Sequence, residues 1–295
     1  MTEFKSVDGV TYHVKNELEV IEIDNQFCNA IISLQGAQIL EFKSNKMINS
    51  KGLLWTSSLN TYQQGKAIRG GIPFCFPWFG GHKIHHDYPA HGFARYLPWQ
   101  LIDVIYAEKK GHELVFQLKD TAHTRHLWNH SFQLQMKICC QDKLTLHFEI
   151  INTGDIEFEY EFVWHSYFPV DIYHAKIKGL HQTAYIDQLK HMQDDVQTEE
   201  YIEIEKEMDR IYPKTKGVFK ISSGQMPTIY VKSNAKSAVV WNPWLTKAQR
   251  LADVGDQAWQ DFVCLESGQI KDASMKLAPN ASATYELIIS DHDMI

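Results

Sequence analysis

The 295-residue sequence has no block of basic residues and no long apolar run. Its formal net charge of −7 excludes the lysine and arginine footprint that nucleic-acid-binding proteins usually carry. No stretch approaches the roughly 20 apolar residues of a membrane span, and the start MTEFKSVDGV lacks the charged and apolar segments of a secretion signal. We therefore expect a cytoplasmic protein with no nucleic-acid partner and no membrane partner.

Cysteines are few, and their spacing does not fit a zinc site. There are five, an odd number, and none belongs to a CxxC pair. The histidines that are grouped between residues 82 and 91 also lack the H-x-x-x-H spacing of a helical metal site; they are His82, His85, His86 and His91. We expect buried free thiols in a reducing compartment and no bound metal.

Period-two alternation of apolar and polar residues dominates the chain. KLTLHFEIIN (143–152) is typical of a half-buried strand, and turn residues separate similar segments. These segments span 11–23, 29–36, 112–120, 132–140, 237–243 and 283–290. Helical patterns are weak: 199–213 favours a helical turn or two before Pro213, and 247–262 a short helix or an ordered loop. We expect an all-β, antiparallel protein that forms a single domain over residues 1–295.

The stretch AIRGGIPFCFPWFGG (67–81) places two glycine pairs close to an arginine. It matches neither G-x-x-x-x-G-K-[ST] nor G-x-G-x-x-G, so a nucleotide-binding loop is not indicated, and its prolines suit a rigid extended loop. The segment HDYPAHGFARY (86–96) adds a second arginine. Arg69 and Arg95 on neighbouring loops have the guanidinium geometry that holds a phosphate with paired hydrogen bonds.

Two polar residues stand on strands that are otherwise largely apolar. In EFEYEFVWHSYFPV (157–170), alternation puts four aromatic residues on one face and His165 on the other. In QDFVCLESG (260–268), Glu266 ends an apolar face. From periodicity alone, His165 is most simply a polar residue on a solvated face. Glu266 either has a buried partner, which would shift its pKa, or lies at the open end of the strand.

Six motifs follow one another along the chain: AIRGGIPFCFPWFG (67–80), HGFARYLPW (91–99), WHSYF (164–168), YID (185–187), WNPW…KAQRLADVGD (241–256) and FVCLESG (262–268). In this order they resemble the hexose-6-phosphate mutarotases, the glucose-6-phosphate 1-epimerase branch of the aldose 1-epimerase superfamily. The resemblance covers nearly the whole chain. It implies an antiparallel β-supersandwich of the galactose mutarotase type with few short helices, and an active site on a concave sheet face.

The resemblance also implies an activity and a set of site residues. The activity is interconversion of the α and β anomers of hexose 6-phosphates, with glucose 6-phosphate as the main substrate and no cofactor. Glu266 is expected to be the base toward O1 of the sugar and His165 the acid toward O5. Arg69 and Arg95 are expected to contact the substrate at its phosphate, and Asp187 to bind sugar hydroxyls. The expected partner is a small phosphosugar, and the expected state is a monomer.

Two positions depart from the family pattern. Ala90 stands where many relatives have glutamine, so a hydrogen bond to the substrate is either lost or supplied by a neighbour such as His91 or Tyr88. Trp78 replaces a smaller or polar residue and would narrow the cleft. Both changes concern the choice of hexose more than the reaction.

Two other functions remain open at this point. One is a mutarotase for unphosphorylated aldoses, and the other is a non-catalytic sugar-phosphate-binding protein. The presence of both His165 and Glu266 argues against the second, because a binding protein needs neither a proton donor nor a base at these positions.

Overall fold

Antiparallel strands dominate the computed structural model, which describes residues 6–47 and 52–294. The first five residues of the segment MTEFKSVDGV lie outside the described residues. In chain order the first strands are β1 Val10–Lys15, β2 Leu18–Asp24, β3 Cys28–Ser33, β4 Gln38–Ser44, β5 Phe74–Cys75, β6 Gln100–Ala107, β7 Gly111–Lys119, β8 Phe132–Cys140, β9 Leu144–Asn152, β10 Phe158–Tyr160, β11 Phe162–Trp164 and β12 Tyr167–Pro169.

The remaining strands lie in the second half of the chain. They are β13 Ala175–Lys178, β14 Ala184–Asp187, β15 Gln193–Val196, β16 Tyr201–Glu203, β17 Met208–Tyr212, β18 Val218–Ser223, β19 Ile229–Ser233, β20 Ser237–Asn242, β21 Phe262–Gln269, β22 Met275–Leu277 and β23 Ser282–Ser290. The described α-helices are α1 Ala122–Leu127 and α2 Trp244–Ala248. Short 3₁₀ turns cover Ala94–Tyr96, Ile172–His174, Gln188–Lys190, Ala258–Gln260 and Lys271–Ala273.

Two large antiparallel sheets form the main layers. The nine-stranded sheet has the order β16-β13-β18-β19-β23-β9-β8-β7-β6. The eight-stranded sheet has the order β15-β14-β17-β20-β21-β11-β5, and β12 also pairs with β21. Smaller sheets contain β1 to β4 and the pair β10-β22. The inner faces of the large sheets meet through aromatic contacts: the ring centroids of Phe74 and Phe148 are 4.6 Å apart, and those of Phe162 and Tyr285 are 4.5 Å apart.

The alternation seen in the sequence accounts for this packing. On β9, Leu144, Leu146, Phe148 and Ile150 are fully buried, whereas His147 and Glu149 are partly exposed. Each buried side chain of this size contributes about 1.5–3 kcal/mol of hydrophobic stabilisation. The all-β antiparallel fold predicted from the sequence is therefore confirmed.

The structure corrects one local prediction and agrees with another. The helical turn expected within 199–213 is wrong, because this segment forms β16 and β17. Glu203 of β16 is exposed at the edge of the nine-stranded sheet, while Ile211 and Tyr212 of β17 are buried beside β20. In 247–262, α2 ends at Ala248 and most of the remainder is an ordered loop. The extent of the predicted domain, residues 1–295, stays a prediction.

The prediction of buried free thiols is confirmed. The five cysteines are buried and form no disulfide: Cys28, Cys75, Cys139, Cys140 and Cys264. No helix in the described part of the chain combines the length and apolarity that crossing a membrane requires.

Candidate active site

His165 and Glu266 face each other across neighbouring strands of the eight-stranded sheet. β11 pairs Trp164 with Ser267, and β12 pairs Tyr167 with Cys264. Two residues separate Trp164 from Tyr167, and two residues separate their partners Ser267 and Cys264 on β21. The antiparallel register therefore continues between β11 and β12 and places His165 opposite Glu266. On the other side, the His165 amide donates to the carbonyl oxygen of Pro73 at 2.9 Å, which continues the register between β11 and β5. Pairing between distant segments thus brings the two predicted catalytic residues together.

The two side chains form a close and nearly buried pair. His165 Nε2 lies 3.3 Å from Glu266 Oε1, and the residues are 7% and 1% exposed. The imidazole stacks on the ring of Tyr167, with centroids 4.9 Å apart. His165 Nδ1 and Glu266 Oε2 are also buried, and neither has a hydrogen-bond partner among the described residues. Because unpaired buried polar atoms are unfavourable, these atoms are expected to bind a ligand.

Burial shifts both groups toward their neutral forms. Desolvation raises the pKa of Glu266 well above its usual value, and the nearby carboxylate of Asp209 raises it further, whereas Arg95 opposes the shift. Desolvation also lowers the pKa of His165 well below its usual value, assisted by His91 and the two arginines. Both shifts favour the uncharged form of the side chain. Such opposite shifts in adjacent groups are typical of acid–base sites.

We predict that Glu266→Gln stabilises the folded protein increasingly as pH rises. The folded pKa of Glu266 is above its unfolded value of 4.5, so its neutral form favours folding only at low pH. This contribution is lost as pH rises through the folded pKa, and glutamine does not titrate. The difference in melting temperature between variant and wild type should grow from pH 5 to pH 9.

Glu161 provides the matched control for this measurement. It is also a buried glutamate, but its carboxylate accepts hydrogen bonds from the amides of Phe79 and Lys271 at 3.0 and 2.8 Å. Glu161→Gln should destabilise the fold because the glutamine amide group cannot accept one of these bonds. A pH-independent difference for Glu266→Gln would contradict the raised pKa.

Arg69 is held beside the His165–Glu266 pair by its backbone and by its side chain. Its amide donates to Asn60 Oδ1 at 2.8 Å, and its carbonyl accepts from Asn60 Nδ2 at 2.8 Å. Its guanidinium group donates to both carboxylate oxygens of Asp253 at 2.9 and 3.2 Å, and to the Tyr167 hydroxyl at 2.9 Å. Arg69 is therefore fixed in place, and Asp253 already balances its charge.

Arg95 has more unused hydrogen-bonding capacity than Arg69. Its Nη2 donates to the Ala90 carbonyl at 2.9 Å and to the Tyr96 hydroxyl at 2.7 Å. Its Nε is buried without a hydrogen-bond partner among the described residues. The charge of Arg95 acts on the pKa values of both His165 and Glu266, which places it in the same site. Arg95 is the better placed of the two arginines to receive an anion.

His91 lies on the loop that also supplies Arg95. Its ring centroid is 5.6 Å from that of His165, and its Nδ1 accepts from the Gly80 amide at 3.3 Å. Burial, helped by Arg95 and Arg69, lowers the pKa of His91 to about 3. The neutral ring with Nδ1 as acceptor carries its proton on Nε2. His91 therefore offers a hydrogen-bond donor in the site.

Gly92 shapes this loop, and we predict that Gly92→Ala destabilises the protein by about 2–4 kcal/mol. Its φ is +73°, and a Cβ there would lie 1.9 Å from the carbonyl oxygen of Phe76. Gly80→Ala is the matched control because φ is +75° but no atom lies within 4 Å of the added Cβ. The control should lose only about 1–2 kcal/mol. Equal losses in urea denaturation would contradict the steric explanation.

Trp78 and Tyr88, which were considered above for the shape of the cleft and for a hydrogen bond to the substrate, make their hydrogen bonds to residues other than His165 and Glu266. Trp78 donates to the Pro89 carbonyl at 3.1 Å and packs against Phe93, with centroids 6.0 Å apart, so it braces the loop. The Tyr88 hydroxyl donates to the carbonyl of His126 at 3.3 Å. Of the two neighbours considered for the missing hydrogen bond, His91 is the one beside His165.

Asp187 and Asp209 line one cavity of about 290 Å³, but they belong to different sheet faces. Asp187 pairs in register with Arg210, and its carboxylate accepts from the Leu189 amide at 3.0 Å. Asp209 pairs with Trp241, which pairs with Cys264. Asp209 therefore shares the face that carries the His165–Glu266 pair, and the role expected for Asp187 stays a prediction.

Asp209 is a site residue that the sequence reasoning missed. Its carboxylate accepts from Gln188 Nε2 at 2.5 Å and lies 3.8 Å from Lys247 Nζ, and burial raises its pKa. The charged residues around it favour a helical turn, and a helical pattern does not show its period-two position. Alternation of Asp209 with the buried Ile211 would have indicated a strand.

The histidine-rich loop and the group around His165 differ in their capacity to hold a metal. In the loop, His82 Nδ1 accepts from the amides of Ile84 and His85 at 3.2 and 2.9 Å, so that nitrogen is occupied. Within residues 6–47 and 52–294, the one group of three potential ligands within 4.8 Å of one another is His165, Cys264 and Glu266.

A second, larger cavity lies apart from the His165–Glu266 pair. Its volume is about 1060 Å³, and its walls include Val170, Tyr173, His174 and Met226. Among the described residues, neither His165 nor Glu266 lines this cavity or the one beside Asp209. The candidate active site is therefore located by the buried His165–Glu266 pair at β21 and not by the size of a cavity.

Comparison with known proteins identifies the family to which the chain is similar. The model of the aldose 1-epimerase family matches residues 19–290. A protein of Cenchrus ciliaris, provisionally named glucose-6-phosphate 1-epimerase, is 32% identical over 257 residues, which are 83% of this chain and 76% of the relative. A protein of Escherichia coli (strain K12) with the same provisional name is 31% identical over 261 residues, covering 85% and 83%.

A solved structure gives the corresponding result for the fold. The crystal structure of a provisionally named mutarotase from Salmonella typhimurium has a TM-score of 0.89 and 28% sequence identity. The match covers 97% of this chain and 94% of that chain. The predicted β-supersandwich of the mutarotase type is confirmed.

Proposed function

This chain belongs to the aldose 1-epimerase family, and on that basis we propose that it is an isomerase that interconverts the α and β anomers of hexose 6-phosphates. Glucose 6-phosphate is the proposed main substrate, in line with the names of the relatives from Cenchrus ciliaris and Escherichia coli. The observation that carries the proposal is the buried His165–Glu266 pair. His165 Nδ1 and Glu266 Oε2 have no hydrogen-bond partner among the described residues.

The chemistry of anomer exchange matches what this pair offers. Opening the hemiacetal ring requires removal of the proton on O1 and delivery of a proton to O5; rotation about C1–C2 and closure then give the other anomer. We assign Glu266 as the base toward O1 and His165 as the acid toward O5. In this state Glu266 is ionised and His165 carries the proton, and the negative phosphate of the substrate favours the imidazolium.

Recognition of the phosphate is assigned to the arginines. Arg95 donates to the phosphate oxygens through the nitrogen protons that remain after its bonds to Ala90 and Tyr96, and its Nε has no partner among the described residues. Arg69 contributes through the nitrogen protons that remain after its bonds to Asp253 and Tyr167. The proposed roles therefore differ: Arg95 is the main phosphate ligand, and Arg69 supports both the phosphate and the Tyr167 ring beneath His165.

The sugar ring is proposed to contact the remaining polar groups of the cleft. His91 donates from Nε2, and the Asp209 carboxylate accepts from a sugar hydroxyl on the same sheet face as Glu266. Asp187, at the same cavity, is retained as a further proposed hydroxyl ligand. The Trp241 ring, 6.1 Å from the His165 ring, provides an apolar wall.

Exchange NMR on three sugars tests this proposal. The protein should accelerate anomer exchange of glucose 6-phosphate far more than that of free glucose or free galactose at equal concentration. Faster exchange of a free sugar would favour the mutarotase for unphosphorylated aldoses. Binding of glucose 6-phosphate without acceleration of any sugar would favour the non-catalytic binding protein.

Cellular location and assembly complete the proposal. Five free thiols are compatible with the reducing cytoplasm, where phosphorylated sugars occur. All the proposed site residues come from one chain, so a monomer suffices for the reaction.

A further inference from the structure

We propose that His165, Cys264 and Glu266 form an inhibitory binding site for a thiophilic divalent cation of the zinc class. The three residues present one nitrogen, one sulfur and one oxygen ligand, all within 4.8 Å of one another. Three protein ligands of these types with an open fourth position are a common arrangement for zinc. The site overlaps the catalytic pair, so an occupied site blocks proton transfer to the sugar.

The sheet register builds this ligand group. Cys264 and Glu266 are two residues apart on β21 and therefore point to the same face. His165 stands opposite Glu266, with their nearest ligand atoms already 3.3 Å apart. Ligand atoms around a tetrahedral zinc ion, at about 2.0–2.3 Å from it, lie about 3–4 Å from one another. A movement of about 1 Å closes the group around the ion.

A second observation indicates that a ligand is accommodated here. Glu266 is 1% exposed, yet its Oε2 has no hydrogen-bond partner among the described residues. Cys264 is fully buried and takes no part in the proposed proton transfers. Coordination would satisfy the free carboxylate oxygen and recruit the thiol, which otherwise has no assigned role in the cleft.

The charges around the group favour a divalent cation once the thiol is deprotonated. One thiolate, one carboxylate and a neutral imidazole balance the two positive charges, so the complex buries no net charge. Of the other charges nearby, Arg69 is already paired with Asp253, Asp209 adds a negative charge on the same face, and Arg95 adds a positive charge. Binding releases the thiol proton of Cys264 to solvent.

Calorimetric titration with zinc chloride, in a buffer without phosphate or chelator, tests the proposal on the whole protein. Wild type should bind one zinc ion with proton release, seen as a dependence of the heat on the ionisation enthalpy of the buffer. Cys264→Ser should weaken binding by more than about 10-fold. Cobalt(II) should give wild type a thiolate charge-transfer band that Cys264→Ser lacks.

Cys139→Ser is the matched control, since Cys139 is a buried thiol on the other large sheet, and it should bind zinc as wild type does. Zinc should inhibit anomer exchange competitively with the sugar, whereas magnesium at the same concentration should not inhibit it. Each rate is compared with the rate of the same variant without metal. Equal zinc affinity in wild type, Cys264→Ser and Glu266→Gln would overturn the proposal, as would the absence of binding by wild type. If Cys264→Ser does not fold, the zinc affinity of Glu266→Gln and the thiolate band of wild type with cobalt(II) test the proposal instead. Calorimetry and cobalt absorption report binding whether or not the protein acts on hexose 6-phosphates.

Discussion

Replacing Glu266 with glutamine, or His165 with asparagine, should lower the rate of anomer exchange by about 10²–10⁴-fold in each case. Both substitutions keep the approximate size of the side chain but remove the group that exchanges protons with the sugar. The effect should appear in kcat, whereas binding of glucose 6-phosphate should largely survive. Because the two groups act together in the same proton transfers, the double variant should be only slightly slower than either single variant.

Exchange NMR at saturating glucose 6-phosphate measures these rates. His174→Asn is the matched control, because His174 is exposed, forms a surface pair with Asp171 and lies away from the pair at β21. It should exchange anomers as fast as wild type. Near-normal rates for both Glu266→Gln and His165→Asn would remove the proposed assignment of acid and base.

Arg95→Ala should raise KM for glucose 6-phosphate by about 10–100-fold, which corresponds to the loss of one or two charge-assisted hydrogen bonds. Its effect on free glucose should be small, because that substrate has no phosphate. The expected selectivity follows from the unpaired Nε of Arg95 and from its few protein partners.

Arg69→Ala should give a different kinetic pattern. Arg69 holds the Tyr167 hydroxyl, and the Tyr167 ring stacks on His165, so its loss should lower kcat for phosphorylated and free sugars as well as raise KM for the former. The ratio of kcat/KM values for glucose 6-phosphate and free glucose compares the two variants. An equal loss on both sugars in Arg95→Ala would place the phosphate elsewhere.

Sequence alternation predicted the local structure of this site but not its assembly. It assigned His165 and Glu266 to strand faces, because burial on a sheet has a period of two residues. Whether the two side chains meet depends on which strands pair and in which register. The pairing of β12 with β21 settles this, and it joins segments far apart in the chain.

The ion pair of Arg69 is another contact that sequence alternation does not predict. Arg69 and Asp253 are 184 residues apart, and no local pattern in either loop indicates their ion pair. Asp209 was missed for a different reason, since the charged residues before it resemble an exposed helix. Pairing of β17 with β20 overrides that local preference and turns Asp209 toward the site.

The most direct test of the account is the rate of α to β exchange of glucose 6-phosphate, measured by exchange NMR with wild-type protein and with the His165→Asn, Glu266→Gln double variant. The account predicts that wild type accelerates exchange well above the rate in buffer, and that the double variant returns it close to that rate while still binding the sugar phosphate. Exchange at the buffer rate in the presence of correctly folded wild type would contradict it.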